Sequence, residues 1–208
     1  MPDNFRFPYA AIGFSDFWRR WHITLSSWLR DYLYIPLGGN RHGPARTYMA
    51  LMLTMLLGGL WHGASWTFVV WGGLHGLYLS FERVLKSRFS GYSPGPWALF
   101  GFGMLTYLLI NITWVFFRAD GFGKAWTVLS GMFGGNAGAK PILSTYYLLS
   151  VALIVSAIVF THWRMRDHTL EMAVAKVPAV LLSAALGIMA FAIIIAQGDG
   201  SAFIYFQF

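Results

Sequence analysis

The chain has no cysteine, which excludes disulfides, thiolate metal sites and a cysteine acyl-enzyme within it. Charge is scarce as well: Asp, Glu, Lys and Arg make up 11% of 208 residues, and only 8 of them are acidic. Ordinary soluble domains carry about a quarter charged residues, so a water-soluble globule of this length would lack the charge to cover its surface. Strand signals, internal repeats and linkers rich in polar residues, Ser or Pro are missing, which favours one continuous helical unit. The opening Met1-Pro2-Asp3-Asn4-Phe5-Arg6 has no apolar core of a cleavable signal peptide. A polytopic membrane protein needs none, because its own helices direct insertion.

What is present fits a bilayer. The hydrophobic fraction is 57% and the mean hydropathy +0.54. Aromatics reach 18%, with 10 Trp, which suits a protein anchored at two membrane–water interfaces. The net charge of +7 invites a nucleic-acid partner, but the basic residues do not gather into one patch. They fall between apolar runs, as Arg19, Arg20, Arg30, Arg41 and Arg46, then Arg83, Lys86 and Arg88, then Arg118 and Lys124, then Arg164 and Arg166. That is the distribution of membrane loops and snorkelling side chains, with anionic lipid headgroups as the acidic partner and no nucleic acid. Every loop carries some basic residues, so charge counting does not fix the topology.

The expected fold class is all-α, a polytopic membrane helical bundle. Residues 14–33 read as one amphipathic helix. Phe14, Phe17, Trp18, Trp21, Leu25, Trp28 and Tyr32 recur at helical spacing, Ser15 is placed to cap the start, and Pro36 with Gly38-Gly39-Asn40 to end it. It is too polar to cross lipid unaided, so an interfacial or re-entrant helix is expected. Residues 47–61 and 66–81 flank Trp61-His62-Gly63-Ala64-Ser65-Trp66 and are each short of the roughly 20 residues a span needs. They read as one long broken helix or as two helices around a dip. Residues 97–117, 142–161 and 177–196 are expected spans, 122–133 a short amphipathic helix, and 134–138 a loop.

Ionisable groups at membrane depth are costly and by default functional candidates. His62 lies in the most apolar third of the chain, between glycines that allow close backbone or substrate approach. Two readings stay open on physics alone: a structural histidine bonded to a neighbouring helix, or a reacting group. His75, in Gly72-Gly73-Leu74-His75-Gly76, reads as structural. His22 sits at an interface and is a weak signal alone. His42, His162 and His168 read as loop residues beside Arg and Gly.

Two long motifs sharpen this. Asp16-Phe17-Trp18-Arg19-Arg20-Trp21-His22, continuing through Trp28-Leu29-Arg30-Asp31-Tyr32 to Pro36-Leu37-Gly38-Gly39-Asn40, resembles a signature of the membrane-bound O-acyltransferase family in its bacterial, alginate O-acetyltransferase-like branch. Gly59-Leu60-Trp61-His62-Gly63-Ala64-Ser65-Trp66 resembles a second, histidine-bearing signature. Trp114-Val115-Phe116-Phe117-Arg118-Ala119 and the terminal Phe203–Phe208 resemble the alginate-type members. The resemblance implies that His62 is the catalytic histidine on the broken helix. It implies that His22 matches a polar position held by Asn elsewhere in the wider family. Members are roughly twice as long, so residues 1–208 are expected to be the C-terminal catalytic part, without the family's N-terminal helices.

The implied activity is transfer of an acyl group, expected to be acetyl, from a thioester to a hydroxyl of an alginate-like exopolysaccharide. No bound cofactor is expected; acetyl-CoA would be the donor substrate, and no metal is called for. The implied partners are membrane lipids, periplasmic acetyltransferase proteins and, indirectly, the polysaccharide. A neutral imidazole suits general-base work on a hydroxyl. With no G-x-S-x-G elbow around Ser65, direct transfer is favoured over an acyl-enzyme. Trp61 N–H and the Ser65 hydroxyl are candidate oxyanion donors, with interfacial anchoring and helix packing as the alternative. Arg19 and Arg20 are candidates for the donor's phosphates, with lipid anchoring as theirs. Two rival classes remain, a transporter-like or non-catalytic membrane subunit and a haem carrier. A spacing of 13 residues turns His75 roughly 220° from His62 on one helix, which disfavours haem.

Overall fold

The computed structural model describes residues 3–135, 138, 143–175 and 177–195. Asn136 and Ala137 of the expected loop, residues 142 and 196 at the ends of two expected spans, and the Phe203–Phe208 motif lie outside them. The chain divides into two units, 1–166 and 167–208. All regular structure among the described residues is helical, and the long apolar helices are those of a membrane protein.

The first unit opens with a 3-10 turn, Pro8–Ala10, and two short helices, α1 (Phe14–Trp18) and α2 (Ile23–Leu29), the second running into a π-helical turn at Arg30–Tyr34. The single helix expected over 14–33 is therefore interrupted. His22 adopts a left-handed conformation (φ 45°, ψ 53°), and such a residue cannot continue a right-handed helix. The cap differs too. Ser15 lies inside α1, and the freed N–H groups of Phe14 and Ser15 are taken by the Glu82 carboxylate at 2.6 and 2.9 Å. A charged acceptor from a distant helix replaces the local hydroxyl.

Helices α3 (Pro44–Trp61) and α4 (Trp66–Arg88) are the centre of the unit. They are two antiparallel helices around a turn, since Gly59 faces Phe68 while Gly72 faces Met55. A Cβ on Gly59 would come within 2.3 Å of the Phe68 carbonyl oxygen, and one on Gly72 within 2.3 Å of that of Met55. The backbones touch, and only glycine permits that distance, as in small-residue packing between membrane helices. Ser65 starts α4 by accepting from Thr67 N–H at 3.3 Å, the ordinary N-cap arrangement.

Helix α5 (Pro96–Arg118) returns along α4, α6 (Phe122–Met132) is a short amphipathic piece, and α7 (Thr145–Met165) follows. Among the described residues α5 and α7 are the two helices long and apolar enough to cross a bilayer. The apolar core joins Ala11, Phe14, Phe17, Leu79 and Ile110, so α1 is wedged against α4 and α5. Ion pairs fix the wedge. Asp16 accepts from Arg20 at 2.9 Å and from Arg166 at 2.8 Å, and Glu82 also pairs with Lys86. His162, expected in a loop, lies on α7. Its ring stacks on Tyr9 at 4.8 Å and its Nδ1 accepts the Tyr9 N–H at 3.2 Å, a contact across 153 residues of sequence.

The second unit holds α8 (Leu170–Val174), capped by Thr169, and α9 (Ala179–Ile195). α9 carries no charge over its 17 residues, fewer than the roughly 20 of a full span.

Candidate functional site

His62 is the residue at which α3 ends. Its N–H bonds back to the Gly59 carbonyl at 3.0 Å, and Gly63, at φ +153°, turns the chain toward Ser65. A Cβ on Gly63 would meet the Phe68 ring at 2.8 Å, so the glycine is needed for the turn to close over that ring. The His62 imidazole is half-buried. It sits edge-on to Phe117 of α5 at 4.9 Å, to Trp71 of α4 at 5.4 Å and to Trp61 at 5.0 Å. Three helices thus meet around one imidazole, and one side of it stays open.

His22 belongs to the motif whose Trp18 lies edge-on to Trp71 at 5.9 Å. It is half-buried, and its Nδ1 is shielded from solvent without a hydrogen-bond partner. The bend that carries it is held from outside. Asn4 accepts the N–H of Ile23 on its carbonyl at 2.9 Å and that of Thr24 on its side chain at 3.2 Å. Phe5 packs on Trp21, and Trp21 on both Phe17 and Trp114. Both histidines lie on bends outside α5 and α7, the described helices long and apolar enough to cross a bilayer. Burial holds the His62 imidazole below the usual range, and the neighbouring His22 lowers it further. Burial likewise lowers His22. Positive charge on His22 disfavours positive charge on His62. Both shifts favour the neutral imidazole, which has a lone pair to offer.

The other candidates divide. The Ser65 hydroxyl is engaged in the cap and lies 3.0 Å from Thr67 Oγ1. The Trp61 side chain is largely exposed beside His62. Arg19 is exposed, whereas Arg20 is committed to Asp16 and to the Arg166 carbonyl at 2.8 Å. His42 and His168 are exposed, as expected of loop residues. His75 is fully buried, and the Trp71 ring packs against both His75 and His62. A cavity of about 400 Å³, lined by Ser15, Leu51, Leu79, Arg83, Lys86 and Ser87, belongs to the opposite end of the α3–α4 hairpin. From Trp66 to Arg83 the helix rises about 25 Å. Among the described residues no group of three or more His, Asp or Glu is placed to hold a metal ion.

Sequence reasoning passed over Glu82, Trp71 and Thr113. A carboxylate in an apolar helix was a readable signal. The two others announce themselves only through their contacts.

Comparison with known proteins gives the class to which the chain belongs. Residues 4–117 match the model of MBOAT, the membrane-bound O-acyltransferase family, and the chain belongs to that family. Its relatives include a probable alginate O-acetylase of Azotobacter vinelandii, 49% identical over 63% of this chain and 26% of the relative. A peptidoglycan O-acetyltransferase of Helicobacter pylori is 48% identical over 65% of this chain and 26% of the relative. A teichoic acid D-alanyltransferase of Streptococcus thermophilus is 32% identical over 38% of this chain and 20% of the relative. The match covers about a quarter of the length of the first two of these relatives.

Proposed function

We propose that this chain carries the reaction centre of an O-acyltransferase in a bacterial inner membrane, moving an acetyl group from a thioester to a hydroxyl. The observation that carries the reading is that the two motifs pack on one ring: Trp71 touches both His62 and Trp18, four residues before His22, and both histidines are half-buried. His62 takes the proton of the acceptor hydroxyl as its oxygen attacks the thioester carbonyl. The carbon–sulfur bond breaks, and the thiolate leaves and recovers the proton. A thiol of pKa about 8.5 is a good leaving group, so assistance is needed mainly at the hydroxyl. His22 orients a reacting group through a hydrogen bond. Trp61 N–H remains free to polarise the carbonyl; Ser65, engaged as a cap, is the weaker choice.

The donor we favour is acetyl-CoA. Arg19 is better placed than Arg20 to meet its phosphates, because Arg20 is already paired. The final acceptor, reached indirectly, is a cell-surface or secreted polysaccharide. Relatives described as acting on alginate and on peptidoglycan are about equally similar, which favours a polysaccharide hydroxyl without choosing between them. A periplasmic acetyltransferase would receive the acetyl group, since the donor is cytoplasmic and the polymer is finished outside. We place the α1–α2 segment at the membrane interface, in a multi-pass protein, and expect the full acyl path to need helices beyond those described here. The rival haem reading is disfavoured by Trp71, which packs between the surroundings of His62 and those of His75.

The test is transfer of labelled acetyl from acetyl-CoA in membranes of cells producing the protein. His62→Ala is expected to lower it by roughly 10²–10⁴-fold, the usual worth of general-base catalysis, with the amount of membrane-inserted protein unchanged. Near-normal transfer by that variant would remove His62 from the chemistry.

A further inference from the structure

His75 has no exposed surface. Its Nε2 lies 3.3 Å from the Thr113 hydroxyl, and that hydroxyl is already donating to the Ile110 carbonyl at 2.7 Å. A hydroxyl has one hydrogen, so Thr113 accepts from His75. The imidazole hydrogen is therefore on Nε2, and Nδ1 is left as a bare acceptor. Nδ1 has no hydrogen-bond partner, and neither have the buried indole N–H groups of Trp18 and Trp71. These three groups sit on rings in mutual contact. Trp18 and Trp71 pack edge-on to His75 at 5.1 and 4.7 Å and on each other at 5.9 Å, while Phe17 stacks on the His75 ring at 6.0 Å. An apolar side chain at 75 would fill the space without burying an unpaired lone pair, so the imidazole is there for something other than volume.

Its neighbours say what. Trp71 bears directly on His62 and on Phe117 behind it. Phe17 and Trp18 belong to the helix that leads into the His22 bend, and Phe17 stacks on Trp21 at 5.8 Å, one residue before His22. One side chain therefore touches both the arm that carries His22 and the ring that supports His62. Thr113 ties it to α5, the third helix of the site.

We propose that His75 is a positioning residue, locked in one tautomer by Thr113, that sets the distance between the His22 bend and the His62 turn. The proposal rests on the functional reading above for its catalytic consequence, but its geometric content stands apart from it.

Both parts can be read on the full chain in membranes. The variants are His75→Phe, His75→Gln, Thr113→Val and Thr113→Ser. Rates of carbethoxylation of His22 and His62 by diethyl pyrocarbonate, followed by mass spectrometry, report their placement whether or not the protein turns over substrate. Thr113→Val and His75→Phe are expected to change those rates at both histidines. They should also lower kcat on the order of 10-fold to 10²-fold, as small misplacements do, and leave KM for the acyl donor nearly unchanged. Thr113→Ser, which keeps the hydroxyl, and His75→Gln, which keeps a donor, are expected to restore labelling and turnover at least in part. Unchanged labelling of both histidines in Thr113→Val and His75→Phe would overturn the proposal. So would a loss that Thr113→Ser fails to repair. If His75→Phe does not accumulate, the milder Thr113→Val decides. Absence of acetyl transfer by the unaltered protein would count against the functional reading alone, and the labelling rates would still settle the role of His75.

Discussion

Helices α4 and α7 are nearly the same length, 23 and 21 residues, and they solve different problems. α4 buries Thr67, Trp71, Gly72, His75, Gly76, Leu79 and Glu82, a mixture of small, polar and aromatic groups. α7 buries nothing in full and presents Leu153, Ile154 and Phe160 outward. In lipid there is little hydrophobic gain in pressing one apolar helix on another, so close packing and internal hydrogen bonds decide which helices associate. The face of α4 is built for protein neighbours and that of α7 for lipid or for further apolar helices. The family match covers 4–117 and so contains α4 but not α7. The part of the chain that resembles known acyltransferases most is the part that packs through glycines and polar groups.

The sharpest way to test that contrast is with glycines. Gly59→Ala or Gly72→Ala would drive a methyl into a carbonyl oxygen 2.3 Å away. Overpacking of this kind costs about 1–3 kcal/mol or more, and here it would split the α3–α4 hairpin. Gly73→Ala meets only the end of Leu56 at 3.6 Å and should be tolerated, and Leu153→Ala on the outer face of α7 should change stability by less than about 0.5 kcal/mol. Thermal unfolding in detergent would rank them. Equal losses for Gly72→Ala and Leu153→Ala would erase the distinction between the two helices.

Much of this hairpin was legible in the sequence and much of the α1–α2 region was not, for a physical reason. Helices α3, α4, α5 and α6 follow from the apolar stretches expected over 47–61, 66–81, 97–117 and 122–133, although α4 runs on to Arg88. His62 stood out because local glycines and an apolar setting mark it. The break at His22 has no such mark. The aromatic period runs straight through it, and what bends the chain comes from elsewhere: Asn4 on Ile23 and Thr24, Arg166 on Asp16, Glu82 on Phe14 and Ser15. Periodicity reports which face is apolar, and not which distant carboxylate will take the helix's first N–H groups. The same holds for His162, which is drawn from its expected loop by Tyr9 at the far end of the chain.

Glu82 tests that explanation next. It accepts from two backbone N–H groups and pairs with Lys86, and hydrogen bonds to charged groups are each worth about 1.5–3 kcal/mol. Glu82→Gln should keep the shape and weaken the anchor, lowering the unfolding temperature and loosening α1, seen as faster protease cleavage near Ser15. A variant as resistant as the natural protein would mean that the aromatic wedge holds α1 without the carboxylate.

A smaller effect is expected at position 22 itself. A left-handed residue other than glycine costs about 1–2 kcal/mol, and His and Asn are among the residue types enriched there. That gives a backbone reason for a histidine at this position. On unfolding temperature His22→Gly and His22→Asn should exceed His22→Ala, while on acetyl transfer Asn should exceed both Gly and Ala. If Gly and Asn supported transfer equally, position 22 would matter for its backbone alone.

The central claim is that His22 and His62, separated in sequence, work as one site. A double-mutant cycle on acetyl transfer measures this directly. Residues that act together lose most of their effect at the first substitution, so His22→Ala in a His62→Ala background should cost far less than it does alone. Full additivity of the two losses would show two independent residues and contradict the account.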